Sequence, residues 1–116
     1  MKKQFLIIVL SLGVMISCTK TNESANSENN DITCNGTKSF SSDVNPIIQS
    51  VCATSGCHNA PSTNGPGALT NYQQVFNARA DIRSAVASGI MPKNTNLSAA
   101  QKSAILCWID SGASNN

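Results

Sequence analysis

Charged and aromatic side chains are scarce in this chain of 116 residues, at 12% and 4% of the sequence. So few aromatic residues provide little material for a large apolar core, and the length allows only one domain. No apolar run reaches the length of about 20 residues that a membrane-spanning helix needs. No stretch alternates apolar and polar residues for long enough to predict a strand. The formal net charge is only +2.

The N-terminus has the pattern of an export signal. Lys2 and Lys3 precede an apolar run that begins at Phe5, and we interpret residues 1–17 as a signal peptide. Met15-Ile16-Ser17-Cys18 resembles the bacterial lipobox, in which the cysteine becomes the mature N-terminus and carries acyl chains. This resemblance predicts an exported lipoprotein of the cell envelope, attached to a membrane through Cys18 on the periplasmic side or at the outer membrane. The alternative is an ordinary signal peptide followed by an unrelated cysteine.

The segment after Cys18 is polar. Thr, Asn, Ser and Glu dominate up to Asp31, and such a stretch buries too little apolar surface to offset the entropy of ordering. We therefore expect residues 18–38 to form a lipidated, disordered tether and residues 39–116 to form the folded domain. Loss of Lys2 and Lys3 leaves six basic and six acidic residues, so a nucleic-acid partner is not expected.

The domain has the apolar spacing of short helices, and its expected fold class is all-α. Apolar residues at helical spacing, together with capping residues and glycine stops, predict four segments. The first has Ser42 as cap and Pro46 in its first turn and ends at Cys52. The second follows a cap at Thr70, and the third runs from about Ala80 to Ser88 and stops at Gly89. The last opens with the capping box Ser98/Gln101 and ends at Gly112.

One stretch carries the chemistry: Cys52-Ala-Thr-Ser-Gly-Cys57-His58. Two neighbouring thiols followed directly by an imidazole are the residues that attach a c-type haem, although the usual spacing between the cysteines is two residues and here it is four. We expect Gly56 to absorb the longer loop through a positive φ. His58 is the only histidine, and Met91 is the only methionine outside the predicted signal peptide.

The order of these features resembles small class I cytochromes c, in the variant with a stretched C-x4-C-H motif. The resemblance extends from Phe40 to Ala113 and includes the helix before Cys52, the Cys57-His58 pair, the Met91-Pro92 loop and the segment Ile105 to Gly112. It implies about four short helices around one covalent haem c. Cys52 and Cys57 would form the thioethers, and His58 and Met91 would be the axial ligands of the iron.

The resemblance also implies roles for the remaining residues. In the family, the first and last helices pack beside each other, so Cys34 and Cys107 are expected to form a disulfide. Arg79, Arg83 and Lys93 are candidates for contact with the haem propionates. With both axial positions filled, the expected function is electron transfer with redox partner proteins rather than catalysis.

Two other interpretations account for part of the sequence. A haem-less, disulfide-stapled interaction domain is one, since four cysteines allow three connectivities, including one that joins Cys52 to Cys57. A zinc site formed by Cys52, Cys57, His58 and a distant cysteine is the other, although adjacent ligands crowd tetrahedral geometry. No nucleophile–base set, carboxylate pair or phosphate-binding glycine loop points to an enzyme.

Overall fold

A computed structural model describes residues 32–116. The predicted signal peptide, Cys18 and the tether up to residue 31 lie outside this part. All regular elements within it are helical and no strand is present, which confirms the all-α prediction for the described residues. None of the helices in this range combines the length and apolar character that a membrane span requires.

The first helix, α1, is a continuous helical run made of three segments. Wider π-helical turns at Phe40–Val44 and Ile48–Cys52 flank a short α-helical turn at Asn45–Ile47. The wide turns surround Pro46, which lacks an N–H and would clash with the carbonyl four residues earlier in a regular α-helix. Helix α1 ends at Cys52, as the sequence predicts.

The start of α1 differs from the prediction. Its N-cap is Ser39 and not Ser42, because the Ser39 hydroxyl accepts a hydrogen bond from the Ser42 amide at 3.1 Å. The Asp43 carboxylate accepts one in return from the Ser39 amide at 2.7 Å. Phe40 is buried, so its packing extends the helix by a turn in the N-terminal direction. Pro46 consequently lies beyond the first turn.

Three further helices complete the domain: α2 at Tyr72–Asn77, α3 at Arg79–Ala87 and α4 at Ala99–Asp110. The predicted capping box of α4 is present, and Gly89 follows α3 with a φ of +74°. The cap of α2 is Asn71 rather than Thr70, one residue later than predicted. Asparagine is the stronger capping residue of the two.

Aromatic side chains join α1, α2 and α4. The Phe40 ring lies 5.1 Å from that of Tyr72 and 5.4 Å from that of Trp108, measured between centroids. Two hydrogen bonds satisfy the polar atoms of this cluster: the Tyr72 hydroxyl donates to the Ala113 carbonyl at 3.0 Å, and Trp108 Nε1 donates to the Ser114 carbonyl at 2.8 Å. The first and last helices are thus packed together, as the resemblance implied.

A disulfide ties the segment before α1 to α4. It joins Cys34 to the buried Cys107, with 5.4 Å between the Cα atoms, and confirms the predicted pair. Ile32 also packs against the core. Residues 32–38 are part of the predicted tether, but in the structure they are attached to the domain at these two points.

Candidate functional site

A cavity of about 830 Å³ lies between the end of α1, helix α3 and two loops. Cys52, Cys57, His58 and Met91 all line it. The volume falls in the range of roughly 300–1,000 Å³ that is usual for small-molecule and cofactor sites. Four residues singled out from the sequence thus share one concave site, although Met91 is distant from the others in the chain.

The two free cysteines among residues 32–116 come from different elements. Cys52 is the last residue of α1, and Cys57 follows a turn in which its amide donates to the Thr54 carbonyl at 3.0 Å. Neither is in a disulfide. Burial raises the pKa of the Cys52 thiol, and the nearby Cys57 raises it further. Cys52 is therefore a protonated thiol at neutral pH.

His58 is held in a single tautomer. Its Nδ1 lies 2.9 Å from the Gly67 carbonyl oxygen, which can only accept, so Nδ1 carries the hydrogen. Nε2 is then left with a free lone pair, the form in which imidazole binds a metal. The side chain is only 9% exposed. The backbone is fixed as well, because the His58 amide donates to the Cys52 carbonyl at 3.0 Å and its carbonyl accepts from Leu69 at 2.8 Å.

Met91 enters the cavity from the loop that follows α3. Its amide donates to the Ala85 carbonyl at 3.1 Å, which holds the start of this loop against the end of the helix. The side chain is half-buried. The walls nearby are apolar and include the buried residues Leu69, Ile82 and Val86.

Of the three basic residues suggested for the propionates, only Lys93 lines the cavity. The Arg79 guanidinium stacks on the Phe76 ring at 4.1 Å and donates to the Phe76 carbonyl. Arg83 forms a two-bond ion pair with Asp110 on α4. Arg79 and Arg83 thus have partners outside the cavity. The packing of α3 in the fold decides which way each of these side chains points.

The arrangement disfavours the zinc interpretation. Cys107 and Cys34, the only distant cysteines in the predicted domain and its lead, are joined to each other and are not ligands. In the part of the chain that the structure describes, no group of three or more His, Cys, Asp or Glu side chains converges on a common point. A haem iron needs only one imidazole and one further ligand from the protein, because the porphyrin provides the other four.

Sequence reasoning missed the residues that hold the loop in place. Asn64 Nδ2 donates to the carbonyls of Gly56 and Cys57, and the Ser62 hydroxyl donates to the carbonyl of Cys57. The only signal for these contacts was the abundance of Asn, Ser and Gly in the loop. Gly56 does adopt the predicted positive φ, at +77°.

In comparisons with known proteins, no family model, no curated protein and no solved structure matches this chain.

Proposed function

We propose that this protein is an electron-transfer protein of the cytochrome c type that carries one covalent haem c. The observation that supports it best is the convergence of Cys52, Cys57, His58 and Met91 on one cavity of about 830 Å³. Two thiols, an imidazole and a thioether are the protein groups that such a haem requires. The hydrogen bond between His58 Nδ1 and the Gly67 carbonyl leaves Nε2 free for iron.

Each of these residues has a distinct part. Cys52 and Cys57 hold the group covalently, so that it does not dissociate. His58 and Met91 would be the two protein ligands of the iron, and with both bound a substrate would find no free position there. When bound, the haem supplies one-electron chemistry at its iron. The buried Leu69, Ile82 and Val86 give the site apolar walls, and the burial of a haem is one of the factors that set its reduction potential.

The cellular setting forms the second part of the proposal. An oxidising compartment is supported by the Cys34–Cys107 disulfide, since such bonds persist mainly outside the cytosol. Cys18, outside the described residues, carries the lipid anchor and keeps the domain at the membrane. The partners are redox proteins of the cell envelope, and the protein is not an enzyme.

Covalent haem is tested by a spectrum. Protein produced together with a cytochrome c maturation system should be red, with an intense Soret band that stays with the polypeptide after acid–acetone extraction. The variant Cys52→Ala/Cys57→Ala, which keeps His58 and Met91, should lose its colour in the same extraction. A colourless wild-type protein from its native host would refute the proposal and favour the haem-less, disulfide-stapled interaction domain.

A further inference from the structure

The segment between the two cysteines forms a closed turn. Its four residues, Ala53 to Gly56, are two more than the usual spacing. The His58 amide donates back to the Cys52 carbonyl at 3.0 Å, so the turn closes on the end of α1. Gly56 takes a φ of +77° within it, and a Cβ there would meet no other atom within 4 Å. Gly56, which directly precedes Cys57, therefore contributes no side-chain contact that would hold Cys57 in position.

The contacts that fix this turn come from the loop after His58. Asn64 Nδ2 lies 3.1 Å from the Gly56 carbonyl oxygen and 3.1 Å from that of Cys57, and donates to both. The Ser62 hydroxyl donates to the same Cys57 carbonyl. One amide group thus spans two consecutive carbonyls at the end of the stretched segment.

The loop is itself tied to the imidazole. Gly67 accepts from His58 Nδ1 and donates from its own amide to the Asn64 carbonyl at 2.9 Å. A Cβ on Gly65 would lie 3.9 Å from His58 Cε1, so the backbone passes close to the ring. Asn64 therefore links the Gly56–Cys57 peptide to the segment that orients His58.

We infer that Asn64 is a positioning residue that holds the four-residue turn so that Cys57 and His58 stay in register with Cys52 for haem attachment. This inference rests on the proposed function. In that reaction each thiol adds across a vinyl double bond: sulfur bonds to the carbon next to the ring, the terminal carbon takes the hydrogen, and no net electrons are exchanged. Both additions need the two sulfurs held at one separation, which the turn sets.

The test is Asn64→Asp, which keeps the shape but removes both donors and places an oxygen opposite two carbonyls. The matched control is Asn96→Asp, because Asn96 is also an exposed asparagine but lies outside the cavity lining, and its side chain makes no hydrogen bond with the residues described. In the haem-free protein, loss of two hydrogen bonds should speed amide hydrogen exchange at His58 and Leu69 by about 5- to 30-fold. Exchange at Ile105 in α4 should not change.

The loaded protein gives the second readout. Peptide mass and the pyridine haemochrome spectrum count the thioethers. Asn64→Asp should lose most of the doubly attached product and accumulate protein attached through Cys52 alone, whereas Asn96→Asp should match wild type. If Asn64→Asp fails to fold, Ser62→Ala removes one donor to the same carbonyl and should give the same shift in a weaker form.

The outcomes separate the inference from the proposed function. A wild-type protein with two thioethers and an Asn64→Asp variant with the same product would overturn the inference alone, even if hydrogen exchange had increased. Unchanged exchange in the variant would overturn it as well. A wild-type protein that attaches no haem would refute the proposed function and the inference together.

Discussion

The disulfide should be the largest single covalent contribution to the stability of this domain. Cys34 and Cys107 are 73 residues apart in the chain, and closing a loop of that length in the unfolded state corresponds to about 4 kcal/mol in the chain-entropy model. For a domain of this size, that free energy corresponds to a melting point lower by roughly 15–30 °C. We therefore expect the melting temperature of Cys34→Ala/Cys107→Ala to be lower than that of the oxidised wild-type protein by this amount.

Thermal unfolding followed by circular dichroism measures the effect, and a reductant provides the control. Reduction should lower the melting temperature of the wild-type protein to near that of the variant and leave the variant unchanged. The haem-free protein is compared first, so that loss of a cofactor does not contribute. If the oxidised wild type and the variant differ by less than about 1 kcal/mol, loop closure does not stabilise this domain in the way proposed.

Three further predictions concern the iron ligand, the anchor and the ion pair. Met91→Ala should lower the reduction potential by at least about 59 mV, a tenfold change in a one-electron equilibrium, and should let reduced haem bind carbon monoxide; equal potentials would remove Met91 from the iron. Cys18→Ala should move the protein from the membrane fraction to the soluble fraction, and a variant that still pellets at high salt would refute lipid anchoring. Arg83 lowers the pKa of Asp110 through a hydrogen bond and its charge, so the pair stabilises the fold at neutral pH and is lost as acid protonates the carboxylate. Both side chains are largely exposed, so Asp110→Asn should have a small effect on the melting point that disappears in concentrated salt; an NMR titration with an ordinary Asp110 pKa would contradict the pairing.

Local patterns predicted the helices well because their causes are local. Ser98 and Gln101 satisfy each other's backbone amides within one turn of chain, and Gly89 stops α3 through its own φ. The cap of α1 was predicted at Ser42 but lies at Ser39, and the cause of this difference is not local. Phe40 is drawn into the helix by contacts with Tyr72 and Trp108, which are far away in the sequence. A capping rule that considers neighbouring residues alone does not include that packing energy.

For the candidate site, the sequence alone determined which chemical groups are present: the two neighbouring cysteines Cys52 and Cys57, the single histidine that follows them, and Met91 in a loop before the last helix. Such groups are visible in any sequence because their chemistry belongs to the residue itself. Only the tertiary structure brought Met91 to the same cavity as Cys52, Cys57 and His58, and only it showed that the Gly67 carbonyl fixes the tautomer of His58. It also directed Arg83 to Asp110 and away from the cavity. These relations depend on distances between segments that are remote in sequence, and those distances are set by how the helices pack.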